Sequence, residues 1–176
     1  MKRVFILVVV VLLGAGSILF ANYLLVHRHL GVVLKEDVRN SGIEVWAHYS
    51  QFLNPKSLVF DLREVSATTS PADVFRVLLQ FSEVMEERDF DDLTLSYAGT
   101  PKFRLKGDYF KKLGVEYSVQ NPVYTMRTFP ENVFELDGTQ AFNEWSGGIL
   151  GVAARQMDDF GEFHKRWYIS DIAKSQ

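Results

Sequence analysis

The chain has 176 residues, no cysteine and a formal net charge of −3. Without cysteine it forms no disulfide, thiolate metal site, thiol nucleophile or lipidated lipobox. All 22 acidic residues lie beyond residue 30, against 16 Lys and Arg, so that part carries −6 and lacks the basic face that nucleic-acid binding needs.

Residues 1–3 are a short tail carrying Lys2 and Arg3. Residues 4–26 follow without a charge; only Ser17, Asn22 and Tyr23 bear polar side-chain groups. As a helix these 23 residues span roughly 34 Å, enough for a hydrocarbon core of about 30 Å. A secretory leader has a shorter apolar centre of about 7–15 residues. Ala15-Gly16-Ser17 resembles a cleavage site, but Ile18, Leu19, Phe20 and residues 23–26 continue the run beyond it. The sequence therefore predicts a retained single-pass signal anchor, with membrane lipid as its first partner through residues 4–26. Secretion after leader cleavage is the alternative. Lys and Arg are nearly balanced across the span, so the positive-inside rule decides little. The Met-Lys-Arg start points to an inner (cytoplasmic) membrane anchor with the C-terminal part exported.

Residues 27–42 read as a juxtamembrane connector, and residues 43–176 as one globular domain of usual size. Residues 43–52 fit a strand through Ile43, Val45, Ala47 and Tyr49, and also a helix face through Ile43, Trp46, Ala47 and Ser50; the strand is preferred. Asn54-Pro55 reads as a turn, and residues 57–65 as a strand with Leu58, Phe60 and Leu62 on one face. Ser70, Pro71 and Asp73 announce a helix to about Arg88, with Val74, Leu78, Phe81 and Met85 buried, flanked by Val77 and Val84. Residues 93–98 and 102–106 read as a hairpin across Gly99-Thr100-Pro101. A short helix follows over residues 107–117, with a break at Gly114. Pro122 and Pro130 predict an extended segment over residues 123–129. Residues 148–169 are an amphipathic helix burying Ile149, Ala153, Gln156, Met157, Phe160, Phe163, His164 and Trp167. The expected fold is α+β or mixed α/β: a small mixed sheet packed against two or three helices.

Familiar chemistry is missing. There is no nucleophile elbow, Ser-x-x-Lys, P-loop or His-Glu-x-x-His. The residues imply no cofactor and no metal. The acidic run through Glu83, Glu86, Glu87, Asp89, Asp91 and Asp92 lacks the spacing and glycine of a calcium loop, and reads as a solvated helix end. Gly147 and Gly148 before the last helix read as close packing rather than an anion site. His164 reads as a hydrogen-bonded core residue.

One tract concentrates recognition groups. Gln120, Asn121, Tyr124, Arg127, Glu131 and Asn132 place amide, phenol, guanidinium and carboxylate groups between prolines, with His164 as a possible companion. Arg127, between Met126 and Phe129, is expected to pair with a carboxylate such as Glu131 or Glu144. Two functions fit. The first is a membrane-anchored, non-catalytic interaction or accessory domain of the cell envelope with a protein partner. The second is an anchored hydrolase or small-ligand-binding protein using residues 120–132. A cleft that gathers Arg127, Glu131 and His164 or His48 would support the second.

Overall fold

A computed structural model describes residues 2–175. Helix α1 (Lys2–Asn22) passes through a π turn (Tyr23–His27) into α2 (Arg28–Glu36). One continuous helix, Lys2–Glu36, is thus long and apolar enough to cross a membrane, and its most apolar 18 residues are not buried by the described domain.

That helix does not stop where the sequence places the edge of the domain. Asn22 and Val26, assigned to the span, are buried, and so are Leu30 and Val33 from the expected connector. These four residues form one helical stripe. The π turn takes more residues per turn than an α-helix, which brings residues four apart closer into line. Asn22 is the joint. Its Oδ1 accepts from the Tyr49 amide at 2.9 Å, and its Nδ2 donates to the Phe52 carbonyl at 2.8 Å. Further on, Asn40 ties the helix end to the domain. Its buried amide donates to the Val33 carbonyl (2.9 Å) and to Gln80 (2.7 Å), and its oxygen accepts from Arg76.

The sheet has the order β1-β2-β3-β4: β1 (Ile43–Ser50), β2 (Asn54–Val65), β3 (Asp92–Tyr97) and β4 (Thr100–Lys106). The β2–β3 pair is parallel and the outer pairs are antiparallel. The expected α+β fold with a mixed sheet is therefore present. Leu58, Leu93 and Leu105 align across three strands, as do Phe60, Leu95 and Phe103, and all six are buried. Alternation puts their neighbours Trp46, His48, Val59, Thr94 and Arg104 on the other, partly open face.

The first turn lies at residues 51–53, ahead of Asn54-Pro55, which begin β2. Gln51 and Phe52 both adopt positive φ, 52° and 61°. Such a turn usually takes Asn-Gly, and two non-glycine residues there are strained. The bonds from Asn22 hold it. The second hairpin is ordinary by comparison: Ala98 and Gly99 turn it, one residue earlier than the sequence suggests.

Helix α3 (Pro71–Val84) carries the full capping box, with the Asp73 amide donating to Ser70 Oγ and the Ser70 amide to Asp73. It ends four residues before Arg88, and Val84 is exposed. Val74, Val77, Leu78, Phe81 and Met85 are buried as expected. Phe81 lies against Phe60 and Phe110. Phe81→Ala should cost about 3–5 kcal/mol in a denaturant melt; a shift near zero would show that this contact is not core.

Helix α4 (Gly107–Glu116) runs unbroken through Gly114. A Cβ at Gly114 would stand 2.3 Å from the Ser82 carbonyl, so the glycine allows α4 to touch α3 and does not end a helix. The expected extended segment at 123–129 is instead helix α5 (Pro122–Thr128). Pro122 occupies the first helical position, where its missing N–H is harmless, and Asn121 caps the Val123 amide. Even Phe129, just before Pro130, is helical, because burial of its ring outweighs the local preference. Helix α6 (Ile149–His164) continues through a π turn (Lys165–Ile169) into α7 (Ser170–Ser175). Gln156, Phe160, Phe163, His164 and Trp167 face inward, whereas Met157 is exposed and Ala153 only partly covered. The side chain of Ile149 lies outside the described residues.

Candidate functional site

The tract at 120–132 divides in three. Asn121 caps α5, and Gln120 accepts from the Asn121 backbone, so both serve the helix start. Tyr124 projects into solvent. Arg127, Glu131 and Asn132 lie deeper, one helical turn apart.

Arg127 does not pair with a carboxylate. Its Nε and a terminal N–H donate to Gln156 Oε1 at 3.1 and 2.9 Å, and Gln156 Nε2 donates to Glu131 Oε1 at 2.6 Å. The buried Gln156 thus relays between cation and anion and satisfies both. Sequence reading placed Gln156 on the inner face of its helix but offered no signal that Arg127 would choose it over Glu131 or Glu144. Arg127→Met should lower stability by about 1–2 kcal/mol, because the buried Gln156 oxygen loses its donors. Thermal melting checks this; unchanged melting would mean that Arg127 is free for another role.

Glu131 and Asn132 also line a cleft of about 480 Å³ with Lys106, Asp108, Tyr109 and Lys112. Helix α4 supplies Asp108, Tyr109 and Lys112, strand β4 supplies Lys106, and the 3-10 turn Pro130–Asn132 supplies the remaining pair. Burial, with Glu116 and Glu131 nearby, raises the Tyr109 phenol well above its usual range, so it stays a neutral hydrogen-bonding group. Lys106 lies over the Phe134 ring at 5.0 Å, and the Phe134 backbone pairs with Arg104 along the outer edge of β4. The cleft offers both charges and a phenol, a set suited to a small zwitterion or a polar side chain of a partner.

Neither candidate histidine reaches it. His48 is on β1, at the opposite edge of the sheet, stacked on Phe52 at 4.3 Å. His164 is fully buried among Phe160, Phe163, Trp167 and Tyr168, and neither ring nitrogen has a hydrogen-bond partner. It is a core residue as expected, but not a hydrogen-bonded one. Burial lowers its pKa to about 3. It stands eight residues, about 12 Å of helix, from Gln156. Arg127, Glu131, His48 and His164 therefore do not meet in one cleft.

Among the described residues no group of three or more His, Asp or Glu side chains is placed to hold a metal ion. The acidic run is dispersed: Asp89 meets Lys111 at 2.7 Å, and Asp92 bonds Ser57 and Arg104. Gly148 caps α6 with no side-chain bond, and a Cβ at Gly147 or Gly148 would meet no atom within 4 Å, so the expected close packing is not what these glycines serve.

Comparison with protein-family models, curated proteins and solved structures finds no match to this chain.

Proposed function

We propose that this chain is a single-pass membrane protein whose one domain acts by binding a protein partner, as an accessory component of a cell envelope, and not by catalysis. The rigid joint at Asn22 carries this reading. A helix that runs from an uncovered apolar stretch directly into the core fixes which face of the domain looks along the membrane. A fixed orientation serves presentation of a surface; a soluble substrate does not need it. The Arg127–Gln156–Glu131 relay supports the same reading, since those groups are used within the fold. In this reading the domain is exported across the cytoplasmic membrane, with Lys2 and Arg3 left on the cytoplasmic side.

Fractionation tests the anchor. Full-length protein should stay in membranes through a carbonate wash, and a soluble form beginning near Ile18 or Asn22 would show a cleaved leader. Orientation is accessible because the chain lacks cysteine: exposed Thr100→Cys should react with an impermeant maleimide from outside intact cells. Affinity purification from solubilised membranes should recover a stoichiometric partner, lost in Lys112→Glu if the cleft receives it. The cleft also supports a second reading, a small zwitterionic ligand. Calorimetric binding of such a ligand, with no protein co-purifying, would favour it.

A further inference from the structure

A wide groove lies away from residues 120–132, between the N-terminal helix and β1. It measures about 870 Å³, within the range of small-molecule sites, roughly 300–1,000 Å³. Leu19, Tyr23, His27 and Gly31 form its helical wall at four-residue spacing; Trp46 and Phe52 lie opposite. His27 stacks on Trp46 at 4.2 Å, and its Nδ1 is buried without a partner. Polarity changes along the groove. The end near Leu19, Tyr23 and Phe52 is apolar and aromatic, and the other end carries Arg28, Lys35 and Arg63 against one carboxylate, Glu44. Arg63 is engaged by Asp61 at 2.5 Å, whereas Arg28 and Lys35 pair with no carboxylate among the described residues.

We infer that this groove holds an anionic phospholipid drawn from the bilayer that the N-terminal helix crosses. The inference rests on the membrane-spanning reading of that helix. The uncovered stretch over residues 4–21 rises about 27 Å, close to a hydrocarbon thickness of about 30 Å, which sets the boundary near Asn22. Leu19 then lies about 4 Å inside the hydrocarbon and the Arg28 backbone about 9 Å beyond it, within a side chain's reach of the headgroup layer. A groove that opens into acyl chains at one end and onto unpaired cations at the other matches an amphiphile with an anionic head. Tyr23 and Trp46 are the residue types favoured at that depth. Gly31 belongs to the wall beside the cations: a Cβ there would meet no atom within 4 Å, so the space is open to a headgroup.

The test uses full-length protein in nanodiscs of phosphatidylcholine and phosphatidylglycerol, followed by detergent extraction and native mass spectrometry. Wild type should retain one phosphatidylglycerol in preference to phosphatidylcholine. Arg28→Gln with Lys35→Gln should cut that retention about tenfold or more, the loss expected for charge-assisted bonds. Gly31→Leu should displace the lipid with unchanged melting, since the added side chain enters open space. Brominated-chain phosphatidylglycerol should quench Trp46 in wild type and not in Gly31→Leu. Protein that inserts normally but retains both lipids equally, with the variants unaltered, overturns the lipid site alone. Protein that fails to enter the nanodisc overturns the anchor and the lipid site together.

Discussion

A protein shortened to begin at Leu34 should fail to fold, whereas one beginning at Ala21 should melt cooperatively. The difference is the helical stripe that crosses from the span into the core. Val26 and Leu30 are fully buried and Val33 almost so. Burying each stabilises by about 1.5–3 kcal/mol, so the three together contribute roughly 4.5–9 kcal/mol. The whole stability of a domain is about 5–15 kcal/mol. The shorter form also loses Asn22, which leaves the Tyr49 amide without its acceptor and the left-handed pair Gln51-Phe52 without support. Asn40 loses its bond to the Val33 carbonyl as well. Circular-dichroism melts of both forms in the same mild detergent provide the measurement. A cooperative transition for the shorter form within a few degrees of the longer one would show that the helix is a passive tether. Leu30→Ala in the longer form refines the test, with an expected loss of about 2–5 kcal/mol.

The same stripe marks where sequence reading stops. Apolar length identifies a candidate span, but length cannot say which residues face lipid and which face protein, since Val26 and Leu25 are alike in hydropathy. Asn22 was visible as a polar interruption at helical spacing from Val26 and Leu30; that pattern was the available signal. Strands were legible because alternation at Leu58, Phe60 and Leu62 is a local consequence of one buried face. Helix α3 was legible because its cap and stripe agree. Helix α5 was not, because Pro122 reads equally as the end of an extended segment or as the first residue of a helix, and the burial of Phe129 that decides between them is tertiary. In the candidate site, the need of Arg127 for a partner was readable from its apolar neighbours. The partner itself, Gln156, comes from another helix and became visible only once α5 and α6 were packed together. The groove beside Trp46 was invisible for the same reason: its two walls are distant in sequence.

Stability should fall as pH drops from 7 to 4.5, chiefly through His164. Burial lowers its pKa in the folded protein to about 3, while in the unfolded chain it titrates near 6.5. Between those values the unfolded state binds a proton that the folded state refuses. The stabilisation is therefore complete above about pH 6.5 and is lost as pH falls, with a limiting slope of about 1.4 kcal/mol per pH unit. The carboxylates act lower down. Hydrogen bonds from Ser70 and Arg76 lower Asp73 to about 2, and Arg39 holds Asp37 well below the usual range, so their stabilisation is lost only as pH falls below about 4. The window from 6.5 to 4.5 thus belongs to His164. His164→Leu, of similar volume, should flatten most of the dependence there. At pH 7 it should also raise stability by about 1–3 kcal/mol, because both ring nitrogens are buried without partners and leucine removes that penalty. Urea melts of wild type and variant across pH 4.5–7.5 decide the matter. A variant that keeps the wild-type slope, or that loses stability at pH 7, would mean that the ring is protonated or hydrogen-bonded in the folded protein.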